Sequence, residues 1–156
     1  MDKLLKTTAR HLKKLNLQSL LIKTSFSEKK SDNLAFVVTV FLSCLIGTCL
    51  DIFFVNKRMY DFPLRPFPSI FSINIAFTLF ILPIFTTIFL QLSKRLSSLS
   101  NILFIIFIGV CASIFEQIAE RLGLFVHSEN WHHTYSLFGY MIFLFFIWRV
   151  YRRIQC

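Results

Sequence analysis

Three acidic residues, Asp51, Glu116 and Glu120, lie within or beside long apolar stretches and are the first candidates for chemistry. A charged side chain at the centre of a bilayer costs about 2.5–3.5 kcal/mol on insertion scales, so it usually has a partner or a function there. At a helical rise of about 1.5 Å per residue, Asp51 is about 25 Å and Glu116 about 21 Å into its stretch. We therefore expect all three acids in the outer third of a membrane or at its outer edge.

The acids share helical stripes with small residues, and the other apolar stretches carry polar pairs at i, i+4 spacing. One stripe contains Ser43, Gly47 and Asp51, and the other contains Gly109, Ser113, Glu116 and Glu120. The polar pairs are Asn74 with Thr78, and Ser136 with Tyr140. Small residues on such stripes let helices approach closely. The acids are therefore predicted to point into a bundle and not at lipid.

The predicted site is a polar cluster contributed by four helices, with Asp51, Asn74, Glu116, Glu120 and Tyr140 as its residues. Such a cluster would act as a proton or cation site, or as a ligand cavity open to the outside. The alternative is a hydrogen-bonded cluster that only fixes the register of the helices. In that case its carboxyls would be protonated or salt-bridged to Arg121 or Arg58.

A second group of polar residues follows the third apolar stretch. It contains residue types that bind metals, namely His127, Glu129, His132 and His133, with Trp131 among them. Histidine and glutamate are common zinc ligands, but the HExxH motif is absent and no cysteine is near. We therefore predict no metal and no other cofactor, and interpret the loop as a polar interfacial segment. No nucleophile, base and orienting group are arranged for catalysis, so no enzyme activity is predicted.

The composition excludes an ordinary soluble domain. Of the 156 residues, 55% are hydrophobic and only 16% are charged, whereas soluble domains have about 45–50% apolar and about 25% charged residues. Crossing a bilayer takes roughly 20 apolar residues, and four stretches approach that length: residues 34–55, 70–92, 102–119 and 135–151. We predict an all-α fold, a four-helix transmembrane bundle over residues 34–156, with a kink at Pro83.

The net charge of +9 would suit a nucleic-acid-binding protein, but the positions of the cations indicate a membrane topology instead. If the N-terminus is cytoplasmic, 13 of the 17 Lys and Arg residues lie inside and four lie outside. An excess of Lys and Arg marks the cytoplasmic side, so both termini are predicted to be cytoplasmic. The aromatic residues expected as interfacial anchors are Tyr60 and Trp131 outside and Trp148 inside.

Residues 1–33 form a separate basic unit ahead of the first stretch. Residues 3–15 fit an amphipathic helix whose basic face contains Lys3, Lys6, Arg10, Lys13 and Lys14. Such a helix lies in a membrane interface with its cations toward anionic lipid headgroups. The alternative is a solvated basic tail. Residues 23–33 are polar and rich in Ser and Lys, and they are predicted to be a linker.

Two long runs of the sequence are GTCLDIFFVNKRMYDFPLRPFPSIFSINIAFTLFILPIFTTIFL and SIFEQIAERLGLFVHSENWHHTYSLFGY. They resemble an uncharacterised family of small multi-span integral membrane proteins from Bacillus and related spore-forming Firmicutes. The likeness covers about residues 45–150, and Asp51, Pro83, Glu116 and Trp131 match its pattern. The resemblance implies a bacterial plasma membrane and these segment boundaries, but no biochemical activity.

The function predicted first is a non-enzymatic membrane component that binds lipid, another membrane protein or a second copy of the chain. The alternative is a small transporter, channel subunit or ion-coupled protein that uses Asp51 and Glu116. A second alternative is a metal-binding membrane enzyme that uses the loop 127–133. No nucleic acid is expected as a partner, because basic stretches beside spans more often set topology or bind lipid.

Overall fold

The fold is built almost entirely of helices. The computed structural model describes residues 31–129 and 131–155. Its helices are α1 (Ser31–Asn56 in the described part), α2 (Phe77–Ser93), α3 (Ser98–Arg121) and α4 (His133–Gln155), and its strands are β1 (Tyr60–Asp61) and β2 (Val126–His127). The predicted all-α class is confirmed. The predicted basic helix with Lys3, Lys6, Arg10, Lys13 and Lys14 lies outside the described residues.

Three of these helices are long enough and apolar enough to cross a membrane. The described part of α1 has 26 residues, α3 has 24 and α4 has 23, and at about 1.5 Å per residue each exceeds a hydrocarbon core of about 30 Å. Both α3 and α4 extend beyond the predicted stretches 102–119 and 135–151, because polar residues form their terminal turns. At the start of α3, for example, the Ser97 hydroxyl accepts a hydrogen bond from the Ser100 N–H at 3.3 Å.

The predicted second stretch, residues 70–92, differs from the observed helix at its start. α2 covers Phe77–Ser93, and residues 70–74 are not helical. The Asn74 side chain marks the boundary by accepting a hydrogen bond from the Phe77 N–H at 3.2 Å, as helix-capping residues do. The first turn of α2, Phe77–Ile81, is π-helical and directly precedes the turn with Pro83. The wider turn accommodates a proline ring that lacks an N–H and crowds the preceding turn.

The helices expose apolar side chains and bury polar ones. Large apolar residues on α1, α3 and α4 are mostly exposed, with Phe41 at 71%, Phe115 at 69% and Ile142 at 69%. The residues that face inward include hydroxyl and amide side chains, and these are Thr39, Ser43, Thr78, Thr86, Ser93, Asn101, Ser113 and Ser136. This distribution is the reverse of that in a water-soluble bundle, whose polar residues face outward.

Small residues occur where the helices approach one another closely. A Cβ atom added to Gly109 on α3 would lie 2.8 Å from Met141 Cγ on α4, and Gly47 on α1 is packed as tightly against Leu82 on α2. One turn from Gly47, the Ser43 and Thr86 hydroxyls share a hydrogen bond of 3.0 Å. Both glycines belong to the stripes noted in the sequence, and each lies at a helix contact.

The chain alternates direction from helix to helix, which places polar groups at two opposite ends. We call one the Asp32 end, where α1 starts in the described chain and α4 finishes, and the other the His127 end, where β1 and β2 pair. The apolar core lies toward the Asp32 end, formed by Ala35, Phe89, Leu90, Ile105, Leu144, Ile147 and Tyr151. The His127 end contains most of the residues predicted to form a site.

Candidate functional site

Two loops meet at the His127 end and hold a histidine over the ends of α3 and α4. In the antiparallel pair β1–β2, Tyr60 lies opposite His127, and the Ser128 N–H donates to the Met59 carbonyl at 2.9 Å. The chain turns back after α3 because Gly123 adopts a left-handed conformation with φ of 71°, which favours glycine at a helix C-terminus. This turn brings His127 back to the last turns of α3, where Glu116 and Glu120 lie.

Glu116 is the most connected side chain of the site. Its carboxylate accepts a hydrogen bond on each oxygen, one from the Ser136 hydroxyl and one from the Tyr140 hydroxyl, both on α4. The Ser136 oxygen in turn accepts from the Trp131 indole N–H at 3.0 Å. The Glu116 side chain is 9% exposed. One buried carboxylate therefore joins α3 to α4 and to the loop between them.

The His127 ring lies between two carboxylates. Its Nε2 is 3.0 Å from Glu116 Oε1, and its Nδ1 is 3.1 Å from Glu120 Oε1. Both distances are within ion-pair range, yet neither contact has the alignment of a hydrogen bond, so both ring nitrogens lack a hydrogen-bond partner among the described residues. The backbone N–H of His127 does donate to Glu120, at 3.2 Å. The ring is 4% exposed, so this is a buried histidine with unsatisfied polar atoms.

His133 completes a group of possible metal ligands. Its Nε2 is 3.8 Å from Glu120 Oε2, and its side chain is 49% exposed. One ligand atom from each of Glu116, His127 and His133 lies within 4.8 Å of the others. These three residues come from α3, β2 and the first residue of α4, so the group depends on the tertiary fold.

Asp51 joins the cluster through Tyr60. The Tyr60 hydroxyl donates to Asp51 Oδ1 at 2.7 Å, and the Tyr60 ring meets the His127 ring edge to face at 6.4 Å. Burial raises the pKa of the Tyr60 phenol, and the neighbouring Asp51 carboxylate raises it further, followed by Tyr140 and Glu116. Tyr60 therefore stays protonated and acts as a hydrogen-bond donor between Asp51 and the rest of the cluster.

An aromatic shell covers the buried histidine. The Trp131 ring stacks on the His127 ring at 5.2 Å with an interplanar angle of 14°, and Phe125 meets it edge to face at 4.5 Å. Phe54 and Phe62 extend the shell around Tyr60. These rings exclude water from His127, and a low local dielectric strengthens every charge interaction there.

The structure unites the two sites that the sequence suggested separately. It brings Asp51, Glu116, Glu120 and Tyr140 together with Ser136, His127 and His133. Asn74 is not part of the cluster, because its side chain caps α2. Glu129 and His132 are exposed, and the His132 ring contacts Tyr135.

Sequence reasoning missed the contact of His127 with Glu116 and Glu120. A signal for it was present, because the short connection 122–132 must begin and end at the same end of the antiparallel pair α3 and α4. The suggested ion pairs with Arg58 or Arg121 are wrong for the described residues. In that part of the chain, no Lys or Arg nitrogen lies within 4.0 Å of a carboxylate oxygen of Asp51, Glu116 or Glu120.

The chain matches no family model, no curated protein and no solved structure.

Proposed function

We propose that the chain is an integral membrane protein of a bacterial plasma membrane and that α1, α2, α3 and α4 all span the bilayer. The support is the large number of apolar side chains exposed on the helices. Exposing apolar area to water is unfavourable by roughly 25 cal/mol per Å², whereas contact of the same area with lipid is favourable. α2 is shorter than the roughly 20 residues of a full span. In the irregular segment before it, Ile73 is 5% exposed whereas Ile70 is 71% exposed. Non-helical backbone at membrane depth must be buried in protein, so only the last residues of that segment would complete the crossing.

We place the His127 end outside the cell and the Asp32 end in the cytoplasm. The support is the distribution of 13 cations against four, which follows the positive-inside rule. A small epitope inserted in the loop 63–68 should react with a membrane-impermeant reagent in intact cells, whereas an epitope after Gln155 should react only after permeabilisation. The reverse result would contradict this orientation.

We further propose that the function of the protein is to bind a cation at the His127 end, without catalysing a reaction. The observation that carries this proposal is that three acidic side chains gather there and that, among the described residues, their only basic neighbours within 4.0 Å are histidines, with no lysine or arginine. Negative charge in a site of low dielectric requires compensation. A bound cation would supply that compensation, and the partly exposed His133 would give it a route from the outer surface.

The exposed apolar faces of α1, α3 and α4 are assigned to lipid, or to a second copy of the chain, in this proposal. The basic N-terminal segment is assigned to anionic headgroups on the cytoplasmic side, because a cluster of cations beside a span is attracted to anionic lipid by about 1 kcal/mol per residue.

The cation proposal is tested by thermal unfolding of the detergent-purified full chain in the chloride salts of sodium, potassium, calcium and zinc at equal ionic strength. A ligand at 100 times its Kd stabilises the folded state by about 2.7 kcal/mol. The Tm should therefore be higher in at least one of these salts than in the others. Glu116→Gln keeps the shape of the side chain and should abolish the increase. Glu129→Gln is the matched control, because Glu129 is exposed in the adjacent loop, and it should keep the increase. The proposal fails if no salt raises the Tm, or if Glu116→Gln responds as the parent does.

A further inference from the structure

The buried His127 ring indicates what kind of cation the His127 end would take. Both ring nitrogens are close to carboxylate oxygens, at 3.0 and 3.1 Å, but neither has a hydrogen-bond partner among the described residues. Leaving a buried polar group unsatisfied costs about 1–3 kcal/mol. An imidazole nitrogen that is buried, unaligned with its neighbours and beside a second histidine and a carboxylate has the surroundings of a metal ligand.

We propose that the cation is a divalent transition-metal ion of the zinc type, bound by Glu116, His127 and His133. This inference rests on the proposed cation-binding function and specifies its ligand. Ligand atoms of the three residues lie within 4.8 Å of one another. Two imidazoles and one carboxylate suit zinc and similar transition metals, whereas calcium and magnesium prefer sites made of oxygen atoms alone.

The distance between Glu116 and His127 needs only a small change to fit such an ion, whereas His133 has to move closer. With metal–ligand bonds of about 2.0–2.2 Å in a tetrahedral site, the ligand atoms lie about 3.4 Å apart. His127 Nε2 and Glu116 Oε1 are already 3.0 Å apart. His133 is half-exposed, so its side chain can rotate toward the other two ligands. Each carboxylate oxygen has two lone pairs, so Glu116 can bind the ion and still accept from Ser136 and Tyr140.

Glu120 has the position of a supporting residue. Its Oε1 lies 3.1 Å from Nδ1 of His127, the ring nitrogen that faces away from Glu116. Metal-bound histidines commonly donate their other N–H to a carboxylate, which fixes the tautomer and the ring orientation. The contact lacks the alignment of a hydrogen bond in this structure, so a small rotation of the His127 ring on metal binding would let Glu120 accept from Nδ1 and leave Nε2 free to bind the ion. We regard Glu120 as a positioning residue and not as a ligand.

The site would have three protein ligands and an open position. Three-ligand zinc sites keep a water molecule or another ligand in the fourth position. The rings of Trp131 and Phe125 pack against His127, and the half-exposed His133 would be the most accessible of the three ligands. The loop residues His132 and Glu129, which the sequence also offered, are not ligands in this assignment.

Titration of the chelator-treated full chain in detergent with cobalt(II) chloride, followed by visible absorption, tests the assignment. One cobalt ion per chain should bind, with the absorption of a tetrahedral site, and zinc chloride should displace it. Glu120→Gln should weaken cobalt binding by about 10–100-fold, the range for residues that support a metal ligand. His133→Ala removes a ligand and should weaken cobalt binding by more than about 100-fold. His132→Ala is the matched control and should bind cobalt as the parent does. Because His133 is half-exposed, its variant is expected to fold.

The outcomes separate the metal assignment from the broader proposal. One outcome is that the parent binds no stoichiometric cobalt or zinc, while sodium, potassium or calcium raises the Tm of the parent but leaves the Tm of Glu116→Gln unchanged. In that case the metal assignment is wrong and the cation site stands. If no cation raises the Tm, both are wrong. If His132→Ala loses as much affinity as His133→Ala, the metal binds the loop and not the cluster, which also overturns the assignment.

Discussion

The two ends of the helices pair their carboxylates with different basic residues. At the Asp32 end, Lys94 Nζ lies 2.8 Å from Asp32, and the Tyr151 hydroxyl and the Gln155 amide donate to the same carboxylate. The Lys94 ammonium also lies over the Phe36 and Tyr151 rings, at 5.1 and 5.2 Å. At the His127 end, Glu116 has a similar tyrosine donor, but histidines take the place of the lysine.

The difference supports the proposal that the His127 end is the one that responds to a ligand. A lysine is a permanent cation at neutral pH, so the charge of Asp32 is compensated within the chain and no ligand is required there. A histidine can instead be neutral and serve as a metal ligand. The Asp32 end is therefore assigned to structure and topology, and the His127 end to binding.

The largest expected effect compares two tyrosines, one at each end, that both donate to a carboxylate. Tyr140→Phe removes a donor from the buried Glu116 and should lower the free energy of unfolding by about 1.5–3 kcal/mol, the usual contribution of a hydrogen bond to a charged group. Tyr151→Phe should cost about 1 kcal/mol or less, because Asp32 is 30% exposed and keeps Lys94 and Gln155. Chemical denaturation in detergent measures both. Equal losses, or a larger loss for Tyr151→Phe, would remove the distinction between the ends.

A smaller effect concerns the α3–α4 contact that connects the two ends. Gly109→Ala should destabilise the protein by about 1–2 kcal/mol, because the new Cβ would lie 2.8 Å from Met141 Cγ and overpacking costs about 1–3 kcal/mol. Gly139→Ala on α4 meets no atom within 4 Å and should stabilise by up to about 1 kcal/mol through helix propensity. Thermal unfolding compares the two variants. A stabilising Gly109→Ala would show that the helices can separate there.

The smallest effect belongs to the hydroxyl pair between α1 and α2, midway between the two ends. A double-mutant cycle of Ser43→Ala and Thr86→Ala should give a coupling of about 0.6 kcal/mol, the average for hydrogen bonds between membrane helices. Thr39→Ala is the control partner, because its hydroxyl bonds within α1, to the Ala35 carbonyl. Its cycle with Thr86→Ala should show no coupling. A coupling as large as the loss of about 1.5–3 kcal/mol expected for Tyr140→Phe would place the main polar interaction in the middle of the helices.

The sequence predicted the helices better than it predicted the site. Long apolar stretches fix helices because their side chains need a non-aqueous surrounding, and three such helices are present. The start of α2 was missed because Asn74, which looked like a site residue, acts as a cap. The grouping of Asp51 with Glu116, Glu120 and Tyr140 followed from helical spacing. The participation of His127 and His133 did not, because it depends on the turn at Gly123 and on the β1–β2 pairing.

The position of a bound ion most directly tests whether the His127 end is a metal site. Crystals or single particles of the full chain loaded with zinc chloride would be examined by anomalous diffraction or by density at the His127 end. We expect one zinc ion within about 2.0–2.2 Å of His127 Nε2, a Glu116 oxygen and a His133 nitrogen, and none beside Asp32. A zinc ion bound instead to His132 and Glu129, or no ion at the His127 end at saturating zinc, would contradict it.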